Sequence, residues 1–388
     1  MPTISSLPDT TPPGIPGPAS FSRPGLLALE GGTVLHGRLR GADRVAEGDL
    51  IFTTAATGWG EILTDPSFAG QVVVLTHPMV GNYRIDRSEL ESDRVHARAL
   101  VVTRLVTPPN GPGVSVEEML VEAGIPAIEG IDTRALTLEL RRGAARRAVI
   151  RSEEEGAAAA VADARSSPTW EAVDHVAAVA PREPYRLDPD GSRRGRAVLL
   201  DYGVKRSLLR ALTGRGLEVV GLPPDAGAAD VAAHAPDLVV LSPGPGDPSR
   251  MALQIATVAD LLAGAIAGGP PLLGICLGHQ LLGLAAGAPT RRLAVGHHGG
   301  NHGVIETGTG RVTIGAHNHE VEVLEHLALA AAGLRVSHRD LNDGTVEGLV
   351  HAGGRVASVQ FHPEGAPGPT DAAGLFDEAL IGAGLASA

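Results

Sequence analysis

PLLGICLGHQLLGLAAG, residues 271–287, joins an apolar strand (271–276) to a helix (278–287) through Gly-Ile-Cys-Leu-Gly at 274–278. A strand that turns sharply into a helix leaves no room for Cβ atoms beside the turning residue, so the geometry demands the two flanking glycines. A thiol at that turn lies at a helix N-terminus, where the positive dipole end and free N–H groups favour the thiolate. The ordinary fate of a single cysteine is that of a small buried hydrophobe. Here the strand–helix context and the glycines argue for a nucleophile at Cys276. It is the only cysteine of the chain, which excludes an internal disulfide and a Cys-based zinc site and makes a reducing cytoplasm the expected compartment.

Around this turn the second half of the chain has a regular rhythm. AVLLD (197–201), KRSLLRALTGRG (205–216), LEVVGLP (217–223), a helix near 226–234, LVVLSPGPGDP (238–248) and a helix at 251–267 alternate strand with helix. That alternation predicts an α/β domain with a doubly wound parallel sheet over 196–384. Residues 25–150 read differently. LLALEGGTVLHGRL (26–39), DLIFTTAATGWGEILTDPS (49–67), QVVVLTHPMVGN (71–82) and ALVVTRLV (99–106) suggest short strands, followed by helical patterns near 115–124 and 133–142. They predict a mixed α/β N-terminal domain. Residues 151–195 include a polar Pro/Gly-rich stretch suited to a connector, and 1–24 form a Pro-rich leader expected to be disordered.

The 388 residues are 43% hydrophobic and 20% charged, enough for two domains with sizeable cores. A net charge of −12 argues against nucleic acid, which needs a basic face. No apolar run of membrane-spanning length free of Gly, Pro and charge is present.

A thiolate nucleophile needs a base and a group that orients the base. VQFHPEGAPGP (359–369) follows the strand RVASVQF and places His362 at a strand end with Glu364 two residues on. His362 is the candidate base and acid, and Glu364 the carboxylate that stabilises its imidazolium. The loop SPGPGDP (242–248) alternates Gly and Pro at a strand end, so Gly244 and Gly246 can approach a substrate. With the amide of Leu277, this loop is the candidate oxyanion hole.

GICLGHQ, SPGPGDP and FHPE resemble the triad-type, class I glutamine amidotransferases. GHHGGNH (296–302), AHNH (316–319) and HPEGAPGPTDAAGLFDE (362–378) narrow this to the small, glutamine-hydrolysing subunit of carbamoyl-phosphate synthase. LEGGTVLHGR, TGWGEILTDPS, THPMVGN and IDTRALT (131–137) are similar to its N-terminal domain. The resemblance spans about 25–384. It implies hydrolysis of L-glutamine through a Cys276 thioester, with His362 and Glu364 completing the triad. Ammonia would pass to a large subunit that holds ATP, magnesium and bicarbonate and makes carbamoyl phosphate for arginine and pyrimidine synthesis. No Walker A run is present here, so no cofactor is expected in this chain. The resemblance assigns Gly244, Gly246, Leu277, Gln280 and Asn318 to glutamine contacts. The chain departs from the family at Ala55, where a serine hydroxyl is usual, and at Glu320 and Val321, where glycine and an aromatic are usual. An unpaired carboxylate at Glu320 would oppose the carboxylate of glutamine.

Two other readings follow from these departures: a relative with altered amide specificity or acceptor, and a non-catalytic regulatory partner of a synthetase. His297, His298, His302, His317 and His319 invite a metal reading, but HHxxxH fits no fixed ligand geometry and no nearby carboxylate completes a set in sequence, so none is expected.

Overall fold

The computed structural model describes residues 22–143 and 146–385. The leader expected over 1–24 thus lies, up to residue 21, outside the described residues, and Arg23 already opens the first strand.

Seven strands close into a barrel: β1 (Arg23–Leu29), β2 (Val34–Gly41), β3 (Ala46–Thr53), β4 (Gln71–Leu75), β5 (Ala99–Val101), β6 (Pro126–Glu129) and β7 (Arg147–Ser152). Strands β3 to β6 run parallel, and the remaining pairings are antiparallel. Closure removes free edges, and Leu27, Leu50, Val72, Val74, Val101 and Ile150 fill one core. The sequence 49–67 is not all strand. Gly58, in the left-handed region at φ 80°, starts a helix over Trp59–Thr64 that buries Trp59 and Leu63.

Among the described residues the second sheet has ten strands: β8 (Tyr185–Leu187), β9 (Gly195–Leu200), β10 (Leu217–Leu222), β11 (Leu238–Leu241), β12 (Leu272–Ile275), β13 (Thr290–Glu306), β14 (Val312–Val323), β15 (Leu334–Asp340), β16 (Val346–His351) and β17 (Val356–Val359). Their order is β14-β13-β15-β16-β17-β12-β11-β9-β10-β8. The five central strands β10, β9, β11, β12 and β17 are parallel. The order reverses beside β9, so the loops after β9, β11 and β12 open on one crevice, the usual ligand position of such sheets. Antiparallel strands flank the parallel core, and β13 with β14 forms a hairpin with two register shifts. Residues 151–195 carry the helix Ala157–Ser166, which packs on β1 and β7, and β8, which pairs with β10.

The barrel sits over the crevice. Glu91, fully buried, accepts from Ser207 N at 2.9 Å and Ser207 Oγ at 2.7 Å. Phe68 stacks on His298.

Candidate active site

Cys276 follows β12 and starts the helix Leu277–Ala285 with φ 52° and ψ −104°, a left-handed conformation rare outside glycine. The surroundings impose it. A Cβ at Gly278 would lie 2.3 Å from Leu241 O, and one at Gly274 would lie 2.8 Å from Gly278 O. Both neighbours are backbone and have no flexible end to move aside, so a side chain at either glycine would push the turn apart.

β17 runs parallel to β12, with Val359 beside Ile275 and Cys276 N donating to Val359 O at 2.9 Å. This register carries the chain past β17 to His362, next to the thiol. His362 Nδ1 is 2.8 Å from Glu364 Oε1. Its Nε2 is buried with no hydrogen-bond partner among the described residues. Burial alone would drive the His362 proton off, yet Glu364 raises its pKa to about 10, and the Cys276 thiol adds to the effect while Lys205 opposes it. Burial likewise disfavours the Glu364 carboxylate, but His362 and then Lys205 bring its pKa down to about 2.

The structure also brings in two side chains the motif reading passed over. Lys205, buried, donates to Gly365 O at 2.7 Å and lies 3.5 Å from Glu364. In sequence it is only the first residue of the helical stretch 205–216. Gln360, fully buried, directs Nε2 to Cys276 Sγ at 3.7 Å. Two residues before His362 on an extended chain, it falls on the same face, and the period of two was the available signal.

The remaining candidates fall in two adjoining recesses. Gly244, Gly246, Gln280, Asn318, Glu320 and Val321 line the first together with Cys276. Gly244 packs so closely that a Cβ there would lie 2.3 Å from Tyr202 O and 3.0 Å from the Leu277 side chain. Gln280 donates to Val321 O at 2.8 Å and to Gln360 Oε1 at 3.1 Å, engaging both its amide hydrogens. Asn318 contacts His298 at 2.8 Å and Asp65 at 3.4 Å, and its carbonyl lies 3.8 Å from Cys276 Sγ. Ala55 is not in that recess; it lines the second, with His362, Asn318 and Lys205.

Glu320 is buried but paired. It bonds Arg146 and His298 and lies 3.4 Å from Arg292, which also binds Asp49 and Glu171. Burial would raise its pKa; the His298 bond, then Arg146 and Arg292, lower it to about 2. Burial holds the nearby Asp49 at about 6.

The expectation that no carboxylate completes a set around the histidines does not hold. Glu347 on β16 is 2.9 Å from His317, and Asp343 and Asp340 reach His297 and His302. These acids lie 30 to 46 residues from the histidines they reach, and the pairing of β13, β14, β15 and β16 gathers them.

A family model described as glutamine amidotransferase class-I matches residues 198–381, and one described as carbamoyl-phosphate synthase small chain, CPSase domain, matches 27–150. The carbamoyl phosphate synthase small chain of Nitratidesulfovibrio vulgaris (Hildenborough) is 42% identical over 368 residues, 90% of this chain and 96% of its own. That of Methanopyrus kandleri is 43% identical over 364 residues, covering 91% and 97%. The pyrimidine-specific small chain of Halalkalibacterium halodurans is 40% identical over 353 residues, covering 90% and 94%.

Proposed function

The chain belongs to the carbamoyl phosphate synthase small-chain family, and on that footing we propose that it hydrolyses L-glutamine and hands the ammonia to a large synthetase subunit. The observation that carries this reading is the left-handed Cys276 at the head of a helix, with the His362–Glu364 pair just past the end of the neighbouring strand.

In this mechanism the thiol proton moves to His362 Nε2, the ring nitrogen not held by Glu364. Glu364 stabilises the imidazolium that forms. Cys276 Sγ then attacks the side-chain carbonyl carbon of glutamine. The oxyanion is held by backbone N–H groups at Leu277 and Gly244, brought together by the packing of the Gly-Pro loop on the turn. Collapse breaks the C–N bond, His362 gives its proton to the departing amine, and a thioester remains. Water, deprotonated by the now neutral His362, attacks the thioester and releases glutamate and the thiol. Gln280 and Asn318 orient the amino-acid end of the substrate. Ala55 brings no hydroxyl to it, and Glu320 and Val321 take the places of a glycine and an aromatic.

The chain needs no cofactor of its own for these steps. ATP, magnesium and bicarbonate belong to the partner subunit, and the cytoplasm is the compartment in which we place the complex. No helix among the described residues is long and apolar enough to cross a membrane.

The Cys276→Ser variant, assayed in complex with the large subunit, tests the assignment. Glutamine-dependent carbamoyl phosphate synthesis is lost and ammonia-dependent synthesis is retained. Equal loss of both would overturn the role given to Cys276.

A further inference from the structure

On the back of the strand that carries Asn318, imidazoles surround a single carboxylate. Side chains alternate along β14. Asn318 and Glu320 both reach His298, on the thiol side. His317 and His319 point the other way and both reach Glu347. His297, from β13, joins them.

Glu347 is fully buried, and its ion pairs among the described residues are all to histidines. A carboxylate there requires a counter-charge. If hydrogen bonds from imidazolium protons supplied it, the nitrogens would close to about 2.7–3.0 Å. His317 Nε2 does so, at 2.9 Å. His297 Nδ1 and His319 Nε2 do not: each stands 3.7 Å from the same Glu347 Oε1, and neither has a hydrogen-bond partner among the described residues. Two ligands of a tetrahedral zinc-class ion lie about 3.4 Å apart. One donor atom from each of His297, His317, His319 and Glu347 falls within 4.8 Å of all the others.

Two of the three far nitrogens are held for the same task, while that of His317, Nδ1, has no hydrogen-bond partner among the described residues. His297 Nε2 is 2.9 Å from Asp343, and His319 Nδ1 is 3.0 Å from Val321 O. A carboxylate or a backbone carbonyl on the outer nitrogen is how metal-bound histidines are oriented, with the inner nitrogen left free for the ion.

From this geometry we propose that His297, His317, His319 and Glu347 form a structural binding site for a divalent transition metal, of which zinc fits the three-nitrogen, one-oxygen donor set. The ion joins β13, β14 and β16 behind Asn318. A second grouping, with His302 and Asp340 in place of His319 and Glu347, shares two of the ligands. It is the weaker, because His302 is half-buried and its Nδ1 is already 3.1 Å from Asp340.

The test uses the full chain with any affinity tag removed. Elemental analysis of protein produced with zinc finds about one ion per chain. Protein produced in metal-depleted medium and given Co2+ shows the visible bands of a tetrahedral nitrogen–oxygen site, and added zinc raises its Tm by about 5 °C or more. Glu347→Gln loses the ion, whereas His302→Gln keeps it. The proposal is overturned if zinc-supplied protein holds only trace metal, if Glu347→Gln binds as much as the parent (an adventitious ion only), or if zinc leaves the Tm of the depleted parent unchanged. The last measurement decides the matter even where the Glu347 variant does not fold.

Discussion

Glu320 Oε1 lies 2.8 Å from His298 Nε2, and the other nitrogen of the same ring is 2.8 Å from the Asn318 amide. The Glu320 carboxylate is therefore part of the scaffold of Asn318, the side chain proposed above to orient the substrate. Arg146, from the edge of the barrel, and Arg292, from β13, neutralise it. An unpaired charge opposing the carboxylate of glutamine is not what the structure shows.

Glu320→Gln should cost stability and weaken substrate binding together. Removing one partner of a buried ion pair costs about 3–5 kcal/mol, and the partial exposure of both guanidiniums brings this to roughly 2–3 kcal/mol. Loosening the Asn318 contact removes about one hydrogen bond, worth roughly a tenfold rise in the KM for glutamine. Urea unfolding and steady-state kinetics read the two effects, and a variant unchanged in both would remove this role from Glu320.

Lys205 acts on the His362–Glu364 pair from 3.5 Å away from the carboxylate. Its charge disfavours the His362 imidazolium. In Lys205→Met the limb of the pH–rate profile set by His362 moves to higher pH, and kcat falls by about ten- to a hundredfold as Glu364 loses a buried partner. Lys205→Arg keeps the charge, so its limb stays closer to that of the parent. A Met variant with an unshifted profile would reduce Lys205 to packing.

The His362–Glu364 pair ties stability to pH in a defined direction. Glu364, depressed from 4.5 to about 2, contributes fully above pH 4.5 and loses its contribution as pH falls toward 2. His362, raised from 6.5 to about 10, contributes fully below pH 6.5 and loses its contribution as pH rises toward 10. Both are present in full only between pH 4.5 and 6.5. Glu364→Gln should therefore cost about 3 kcal/mol or more near pH 6 and clearly less near pH 9. Denaturant titrations at the two values make the comparison, and equal costs would contradict the linkage.

Two glycines should respond in opposite directions to the same substitution. Gly278→Ala forces a Cβ to within 2.3 Å of a carbonyl oxygen, costing about 1–3 kcal/mol and displacing the thiol from its pocket. Gly264, exposed in the helix Ala252–Ile266, has nothing within 4 Å of its added Cβ. Gly264→Ala should stabilise by about 0.8–1 kcal/mol with activity unchanged. Thermal unfolding of both, with a glutaminase assay, checks the contrast.

Much of the α/β reading was legible because its signals are local. Strand–helix alternation over 197–287 reappears as the parallel strands β9 to β12 with their helices, since apolar periodicity and glycine stops act within one element. The family resemblance, read from short motifs, agrees with relatives about 40% identical across nine tenths of the chain. Less was legible over 290–323. The long β13–β14 hairpin has no clean alternation, because its polar residues face buried partners such as Glu347 and Arg146 instead of water. Closure of the first seven strands into a barrel was equally invisible, since a strand's own pattern does not name its neighbours.

By itself the sequence determined the turn at Cys276 and the adjacency of His362 and Glu364. Steric exclusion at Gly274 and Gly278 and a two-residue spacing are properties of neighbouring atoms along one chain. Tertiary structure alone decided that Lys205 stands 3.5 Å from Glu364, that Gln360 reaches the thiol, that Arg146 neutralises Glu320, and that Glu347 lies among His297, His317 and His319. Those pairs are separated by 28 to 174 residues. Charges and imidazoles act over a few ångströms of space, and only the packing of barrel on sheet sets which of them come within that range.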